Sequence, residues 1–240
     1  MTDAENCATA SPIGSSAVIE LRQSSIYDRL MRLPILAWST TLATVSASGL
    51  EQYIRMADPA LPRALYLVNI AMRLSVIAYL VILAATVITR RTPIGKTRGV
   101  APRLSALIGT FLITVVVLFP RRELPVAWGI VSTLLTFVGD GFAVLVLVQL
   151  RRSFSIMPEA RELVTSGPYR VVRHPLYLAE EIAAVGSIMQ FLSPWTAILL
   201  AVHIIFQLHR IANEEAVLTE VFPQYAVYRM HTARVVPGIY

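Results

Sequence analysis

A short loop near the C-terminus carries side chains that could bind an anionic ligand. It has the sequence GPYRVVRHPLY, residues 167–177, in which a Gly-Pro pair prevents a regular helix. Pro175 suits the first turn of the helix that follows, because the N–H group that it lacks would be unpaired there anyway. The free N–H groups of such a helix start, with Arg173 and His174 beside them, favour a carboxylate or another anion. The loop therefore predicts a polar binding site at a helix mouth.

A second set of polar residues lies on the last long apolar segment and indicates an acceptor site. Four residues are three or four positions apart, so a helix places them on one face: His203, Gln207, Arg210 and Glu214. Polar side chains at the depth of lipid tails usually line a cavity or pair inside a bundle. Arg210 could orient a carboxylate acceptor through two parallel hydrogen bonds, whereas Glu214 or Glu180 could take a proton from an amine acceptor. The residues by themselves leave both acceptors open.

The preceding apolar segment carries a matching stripe. Its members recur at helical spacing and include two small residues: Glu180, Ala183, Ser187 and Gln190. We expect the small residues to let the last helix pack close against this one. Glu180 is a candidate for substrate binding together with His203 and Gln207, and simple hydration at the membrane surface is the alternative for Glu180.

Composition places these residues in a membrane protein. Hydrophobic residues make up 55% of the 240 and charged residues only 15%, with a mean hydropathy of +0.62. Six apolar stretches approach the roughly 20 residues that a spanning helix needs. They lie at about 34–50, 64–88, 104–119, 126–150, 176–192 and 195–209. The sequence predicts an all-α integral membrane protein with about six transmembrane helices. The last two of these helices are predicted to form a tight hairpin across Ser193 and Pro194.

The chain divides into three regions on this interpretation. Residues 1–33 form an N-terminal tail whose segment from Glu20 to Arg32 could lie on the membrane as an interfacial helix. Residues 34–150 form a four-helix transmembrane region, and residues 151–240 form the catalytic region with a cytoplasmic cofactor pocket. Most of the 21 lysine and arginine residues fall on one side if both termini are cytoplasmic. We therefore expect both termini in the cytoplasm, in a cytoplasmic membrane of bacterial type.

Metal and nucleic-acid functions are not indicated by the sequence. Cys7 is the only cysteine, and the four histidines form no HExxH-like pair, so we expect no bound metal. The basic loop at residues 90–103 is explained by membrane orientation, and we expect no nucleic-acid partner. The oligomeric state is left open.

Three C-terminal motifs resemble the isoprenylcysteine carboxyl methyltransferase family and the related phospholipid N-methyltransferases. They are RSFSIMPEARELVTSGPYRVVRHPLYLAEE at 152–181, RIANEE at 210–215 and FPQYAVYRMHTARVVPG at 222–238. Three motifs in the order of the family are far more specific than any one of them. The resemblance implies an S-adenosylmethionine-dependent methyltransferase acting on a membrane-embedded lipid or prenylated substrate. Carboxyl O-methylation of an isoprenylcysteine-like acceptor is the reaction that it favours.

The resemblance also implies roles for individual residues. Arg210 and Glu214 correspond to active-site positions and are the predicted catalytic residues. The predicted contacts of the methyl donor are Arg173, His174, Tyr177, Leu178, Glu214 and Glu215. Three residues of the last motif, Tyr225, Tyr228 and Arg234, could fold back over the mouth of the pocket or anchor the tail at the interface.

Three other functions remain open at this stage. N-methylation of a phospholipid amine would use the same cofactor. The membrane sterol-type reductases that use NADPH have similar C-terminal helices, but they typically carry an asparagine immediately before the motif tyrosine, where this chain has Leu176. A transporter or lipid-binding scaffold would also need buried polar residues, yet it leaves the three motifs unexplained.

Two isolated charges in the N-terminal helices give a further expectation. Arg73 and Asp140 lie near the middle of long apolar segments, where each costs roughly 2.5 to 3.5 kcal/mol on insertion scales. Asn69 lies one turn from Arg73, and Ser132 and Thr136 extend the face of Asp140. We expect the two polar stripes to face each other and the two charges to form a buried ion pair.

Overall fold

The computed structural model describes residues 29–30, 32–56, 59 and 61–238. Its helices are α1 (Leu33–Arg55), α2 (Arg63–Thr89), α3 (Ala101–Phe111), α4 (Val126–Leu150), α5 (Pro175–Met189), α6 (Pro194–Val221) and α7 (Tyr225–His231). A 3-10 helix, Leu112–Leu118, continues α3, and shorter ones occupy Arg151–Ser153 and Gly167–Arg170. The predicted interfacial segment from Glu20 to Arg32 lies almost entirely outside the described residues.

All six predicted apolar stretches are helical, but they differ in length. Five helices are long and apolar enough to cross a membrane in the described part of the chain: α1, α2, α3 with its 3-10 extension, α4 and α6. Helix α5 has 15 residues, fewer than the roughly 20 that a span needs. The all-α membrane fold is thus confirmed, with one helix that is too short to span alone.

The turn between α5 and α6 has a specific cap. The hydroxyl of Ser193 accepts a hydrogen bond from the Thr196 N–H at 3.2 Å, and the Thr196 hydroxyl accepts one from the Ser193 N–H at 2.9 Å. Pro194 occupies the first turn of α6, where its missing N–H costs nothing. These reciprocal bonds fix the short connection that the sequence predicted.

Close packing joins α5 to α4, not to α6. A Cβ atom on Gly139 of α4 would lie 2.4 Å from the Ala183 nitrogen, and one on Gly186 of α5 would lie 2.6 Å from the Thr136 nitrogen. The expectation that Ala183 lets the last helix pack close is therefore wrong, because its backbone lies against α4. Helix α6 packs chiefly beside α3, and it makes only limited contact with α5. The bundle thus consists of an α1–α2–α4–α5 layer and an α3–α6 pair.

The loops at one end of the bundle are held together by a small sheet. Strands β1 (Gly95–Lys96) and β2 (Glu159–Ala160) pair in antiparallel register, with Gly95 opposite Ala160. We call this the motif end, and it comprises residues 90–100, 151–174 and 222–238. The opposite end, called the far end, comprises residues 119–125 and 190–193.

The predicted ion pair between Arg73 and Asp140 does not form. Among the described residues no nitrogen–oxygen distance within 4.0 Å joins these two side chains, and Arg73 instead donates to the Gly49 carbonyl at 3.4 Å. Asp140 follows Gly139, which packs on residues 179–183 of α5, so Asp140 is level with Glu180. Tyr79 is also level with Glu180, and Arg73 lies six residues nearer the far end, about 9 Å away along the helix. The two polar stripes do line one cavity, as expected, but the charges lie at different depths.

Candidate functional site

The loop of the first motif is tied to the C-terminal tail by backbone bonds. Arg173 N–H donates to the Ala233 carbonyl at 2.8 Å, and His174 N–H donates to the Arg234 carbonyl at 3.1 Å. Gly167 begins the loop with a φ of +61°, a conformation that favours glycine. The first and third motifs therefore form one unit next to the start of α5.

Glu215 joins all three motifs. Its Oε1 lies 3.1 Å from His174 Nε2 in a hydrogen bond and 3.3 Å from Arg173 Nε, while its Oε2 lies 3.1 Å from Arg234 Nε. The Glu215 side chain is only 12% exposed, so solvent screens these attractions weakly. Three cationic or ionisable groups from two segments thus converge on one carboxylate of α6.

Tyr177, Glu214 and Arg210 form a second group directly beside the first. The Tyr177 hydroxyl donates to Glu214 Oε2 at 2.8 Å, and the Arg210 guanidinium lies 4.8 Å from the centre of the Tyr177 ring. A cation over an aromatic face is attracted by the ring quadrupole. Arg210 is 5% exposed, so its charge is held inside the protein. Leu178, the neighbouring predicted contact, is half-buried on the first turn of α5.

A chain of hydrogen bonds continues from Arg210 towards the bundle interior. Arg210 Nη1 donates to Gln207 Oε1 at 2.5 Å, and Gln207 Nε2 donates to Glu180 Oε2 at 3.2 Å. The Tyr79 hydroxyl donates to the other Glu180 oxygen at 3.1 Å. Sequence reasoning missed Tyr79, although a tyrosine in an apolar helix needs a partner for its hydroxyl when it is buried. Glu180 is therefore a bonded member of the site.

His203 has a different neighbour from the rest of its stripe. Its Nε2 lies 3.0 Å from Glu181 Oε1, outside hydrogen-bond geometry, and neither ring nitrogen has a hydrogen-bond partner among the described residues. His203 is 2% exposed. The structure thus brings His203 to Glu181, while Gln207, Arg210 and Glu214 share the cluster described above.

The polar cluster adjoins a large cavity between the two helical layers. The cavity measures about 820 Å³ and is lined mainly by apolar side chains of α1 to α5. Glu180, Asp140 and His203 are among its polar lining residues. Glu180 is bonded to Gln207 as well, so it belongs both to the cavity wall and to the motif cluster.

Aromatic residues of the tail pack into the motif end. The Tyr228 hydroxyl donates to the Tyr169 carbonyl at 2.6 Å, and the Tyr225 and Tyr228 rings are 5.8 Å apart. Burial raises the pKa of Tyr228 to about 12 and raises that of Tyr225 further, so both phenols are neutral at physiological pH. The tail is therefore folded onto the loop of the first motif.

The donor set suits a cofactor that has an anionic end and several hydroxyl or amino groups. Arg173 Nη1 is buried and has no hydrogen-bond partner among the described residues, so it can still bond a ligand. Glu214 and Glu215 can accept from hydroxyl or amino groups. S-adenosylmethionine carries all of these groups and fits this set. Within the described residues no three histidine, cysteine or acidic side chains cluster as a metal site would require.

The fold and the site define an α-helical membrane protein with a polar cluster that adjoins an intramembrane cavity. Residues 132–220 match the model of the isoprenylcysteine carboxyl methyltransferase (ICMT) family, and this match supports the family that the motifs predicted. The matched range includes the first two motifs and ends before the third. It does not support the reductase or the transporter alternative.

Among solved structures, the eukaryotic intramembrane Ras methyltransferase ICMT is similar to this chain. The two are 14% identical with a TM-score of 0.47, and the alignment covers 90% of this chain and 88% of the other. Comparison with curated proteins gave no significant match.

Proposed function

We propose that this protein transfers a methyl group from S-adenosylmethionine to the carboxylate of an isoprenylcysteine-like acceptor. The observation that carries the proposal is the position of Arg210, buried between the Tyr177 ring and the Gln207–Glu180 pair. On one side of Arg210 are the motif residues, and on the other, 3.9 Å from its Nη1, is Glu180 Oε2, whose residue lines the cavity. A carboxylate whose apolar chain occupies the cavity would thus meet the guanidinium beside the cofactor groups.

The cofactor would be held by the residues that the motifs bring together. These are Arg173, His174, Tyr177, Leu178, Glu214 and Glu215. S-adenosylmethionine supplies a sulfonium that makes its methyl group reactive. Arg173 and His174 can bond a carboxylate, while Glu214 and Glu215 can accept from hydroxyl or amino groups.

Arg210 would orient the acceptor. Its planar guanidinium can form two parallel bonds to a carboxylate, which fixes both the position and the plane of the attacking oxygen. A carboxylate needs no general base, and exclusion of water when both ligands are bound would protect the donor from competing hydrolysis. Glu180, Gln207 and His203 would contact the polar part of the acceptor, because Glu180 and His203 line the cavity and Gln207 bonds Glu180.

The test is methyl transfer to a farnesylated cysteine in liposomes, with tritium in the donor methyl group. We expect label in the lipid fraction that base converts to volatile methanol, as a carboxyl ester requires. The variant Arg210→Lys should lose most of this transfer, because lysine lacks the planar fork. Arg98→Lys, the same substitution in an exposed loop, is its control and should not change the transfer. Base-stable label on a phospholipid amine would show N-methylation instead, and no transfer from this donor to either acceptor would reject the proposal.

Orientation can be tested with the single cysteine. We infer that both termini face the cytoplasm, from the excess of basic residues in the predicted inner loops. Cys7 would then react with a membrane-impermeant maleimide in inverted vesicles and not in right-side-out vesicles. Cys7→Ser provides the background, and labelling only in right-side-out vesicles would reverse the orientation.

A further inference from the structure

The part of the cavity that is nearer to the far end of the bundle is lined by basic residues, whereas the part nearer to the motif end is lined by acidic ones. Three arginines line it there: Arg73, Arg121 and Arg122. The acidic residues that line the cavity among the described residues are Asp140 and Glu180, and both lie about 9 Å nearer the motif end than Arg73 by helix geometry. The basic and the acidic residues of the cavity wall are therefore separated along its length.

Arg73 is held without a carboxylate partner among the described residues. Its guanidinium lies 4.7 Å from the centre of the Tyr53 ring, and its Nη1 donates a long bond of 3.4 Å to the Gly49 carbonyl. Its Nε is buried and has no hydrogen-bond partner in the described part of the chain. A helical arginine at this depth is costly unless it faces a polar group or a ligand. Arg73 thus retains donor capacity beside the cavity.

The two loop arginines are positioned by apolar and backbone contacts. Arg121 lies over the Phe191 ring at 5.5 Å, and the backbone N–H of Arg122 donates to the Gln190 carbonyl at 2.8 Å. Two described acids from neighbouring parts of the chain, Glu51 and Glu123, do not line the cavity. Glu51 bonds Arg55 at 2.5 Å, and Glu123 is exposed. Snorkelling to the membrane surface would explain Arg121 and Arg122 alone, but it does not explain why Arg73 shares their cavity.

We propose that this far end is an anion site that binds the phosphate of an anionic phospholipid from the membrane surface opposite the motifs. Basic pockets between transmembrane helices suit lipid headgroups, and the apolar wall beyond Arg73 would receive an acyl chain. The site is separate from the motif cluster. The proposal does not depend on the methyl-transfer reaction.

Binding can be measured with the purified full chain in detergent, by titration with dioleoylphosphatidylglycerol and with dioleoylphosphatidylcholine. We expect phosphatidylglycerol to bind more tightly than phosphatidylcholine. Arg73→Gln and Arg121→Gln should each weaken phosphatidylglycerol binding about tenfold, the loss expected for one charge-assisted hydrogen bond. Arg73→Lys should retain most of the affinity, because it keeps the charge.

Arg55→Gln is the matched control. It removes one positive charge from the end of α1, but Arg55 is bound to Glu51 and does not line the cavity. Equal binding of the two lipids, or wild-type affinity in both Arg73→Gln and Arg121→Gln, would overturn the proposal. Complete displacement of the lipid by inorganic phosphate would show that the site binds a free anion, which would overturn the lipid assignment. The exposed Arg121 keeps the test valid if Arg73→Gln does not fold.

Discussion

Gly109 of α3 lies directly against the side chain of Arg210 on α6. A Cβ atom on Gly109 would be 2.6 Å from Arg210 Cδ and 3.3 Å from Gln207 Oε1. The absence of a side chain at residue 109 therefore leaves the room in which the buried arginine and its glutamine partner lie. The α3–α6 contact positions the proposed acceptor-binding group.

Gly109→Ala should lower methyl transfer and leave cofactor affinity unchanged. The added methyl group must displace Arg210 from Gln207, and a shift of about 1 Å in a positioning group can cost roughly 100-fold in rate. Turnover and calorimetric affinity for S-adenosylhomocysteine measure the two effects. Gly129→Ala is the control, because it also lines the cavity but its Cβ would meet nothing within 4 Å. Equal turnover in the two variants would show that the position of Arg210 does not limit the rate.

Gly139→Ala should destabilise the bundle by about 1 to 3 kcal/mol, the range for overpacking. Its new Cβ would lie 2.4 Å from the backbone nitrogen of Ala183, and a helix backbone cannot rotate away as a side chain can. Thermal unfolding in detergent measures the loss. Gly141→Ala, on the same helix and with open space at its Cβ, should be neutral or slightly stabilising. Identical melting of both variants would contradict the close contact between α4 and α5.

His174→Ala and Glu215→Ala should differ in their effects on stability. Both should weaken S-adenosylhomocysteine binding about tenfold or more, the loss of one charge-assisted bond. Glu215→Ala should also lower the melting temperature, since it leaves Arg173 and Arg234 close together without the carboxylate between them. Calorimetry and thermal unfolding separate the two effects. Unchanged affinity in both variants would remove the cofactor assignment.

Arg210→Lys should reduce turnover by roughly 100-fold while affinity for S-adenosylhomocysteine stays within about threefold. Lysine keeps the charge but lacks the planar fork that orients a carboxylate, and it cannot lie flat over the Tyr177 ring. Steady-state kinetics with the farnesylated acceptor and calorimetry provide the comparison. Near-normal turnover would mean that Arg210 only balances the charge of Glu180 and Glu214.

The sequence determined the class of the protein and the position of its helices. Apolar segment length and composition give the membrane fold directly, because a helix must span about 30 Å of hydrocarbon whatever its neighbours are. The motif residues could also be identified from the sequence, because Arg173, His174 and Glu215 belong to motifs that occur in the order of the family. The structure then placed these three side chains in contact.

The tertiary structure decided which helices meet and at what depth. Arg73 and Asp140 have equally suitable sequence environments, yet they lie at different heights and do not pair. The same uncertainty applied to Ala183, because a small residue permits a close approach by any partner, and its backbone in fact lies against Gly139 of α4. Tyr79 and Gly109 became part of the site only through neighbours distant in sequence. Helical periodicity fixes the face of a residue on its own helix, but the relative height and rotation of two helices depend on packing along their whole length.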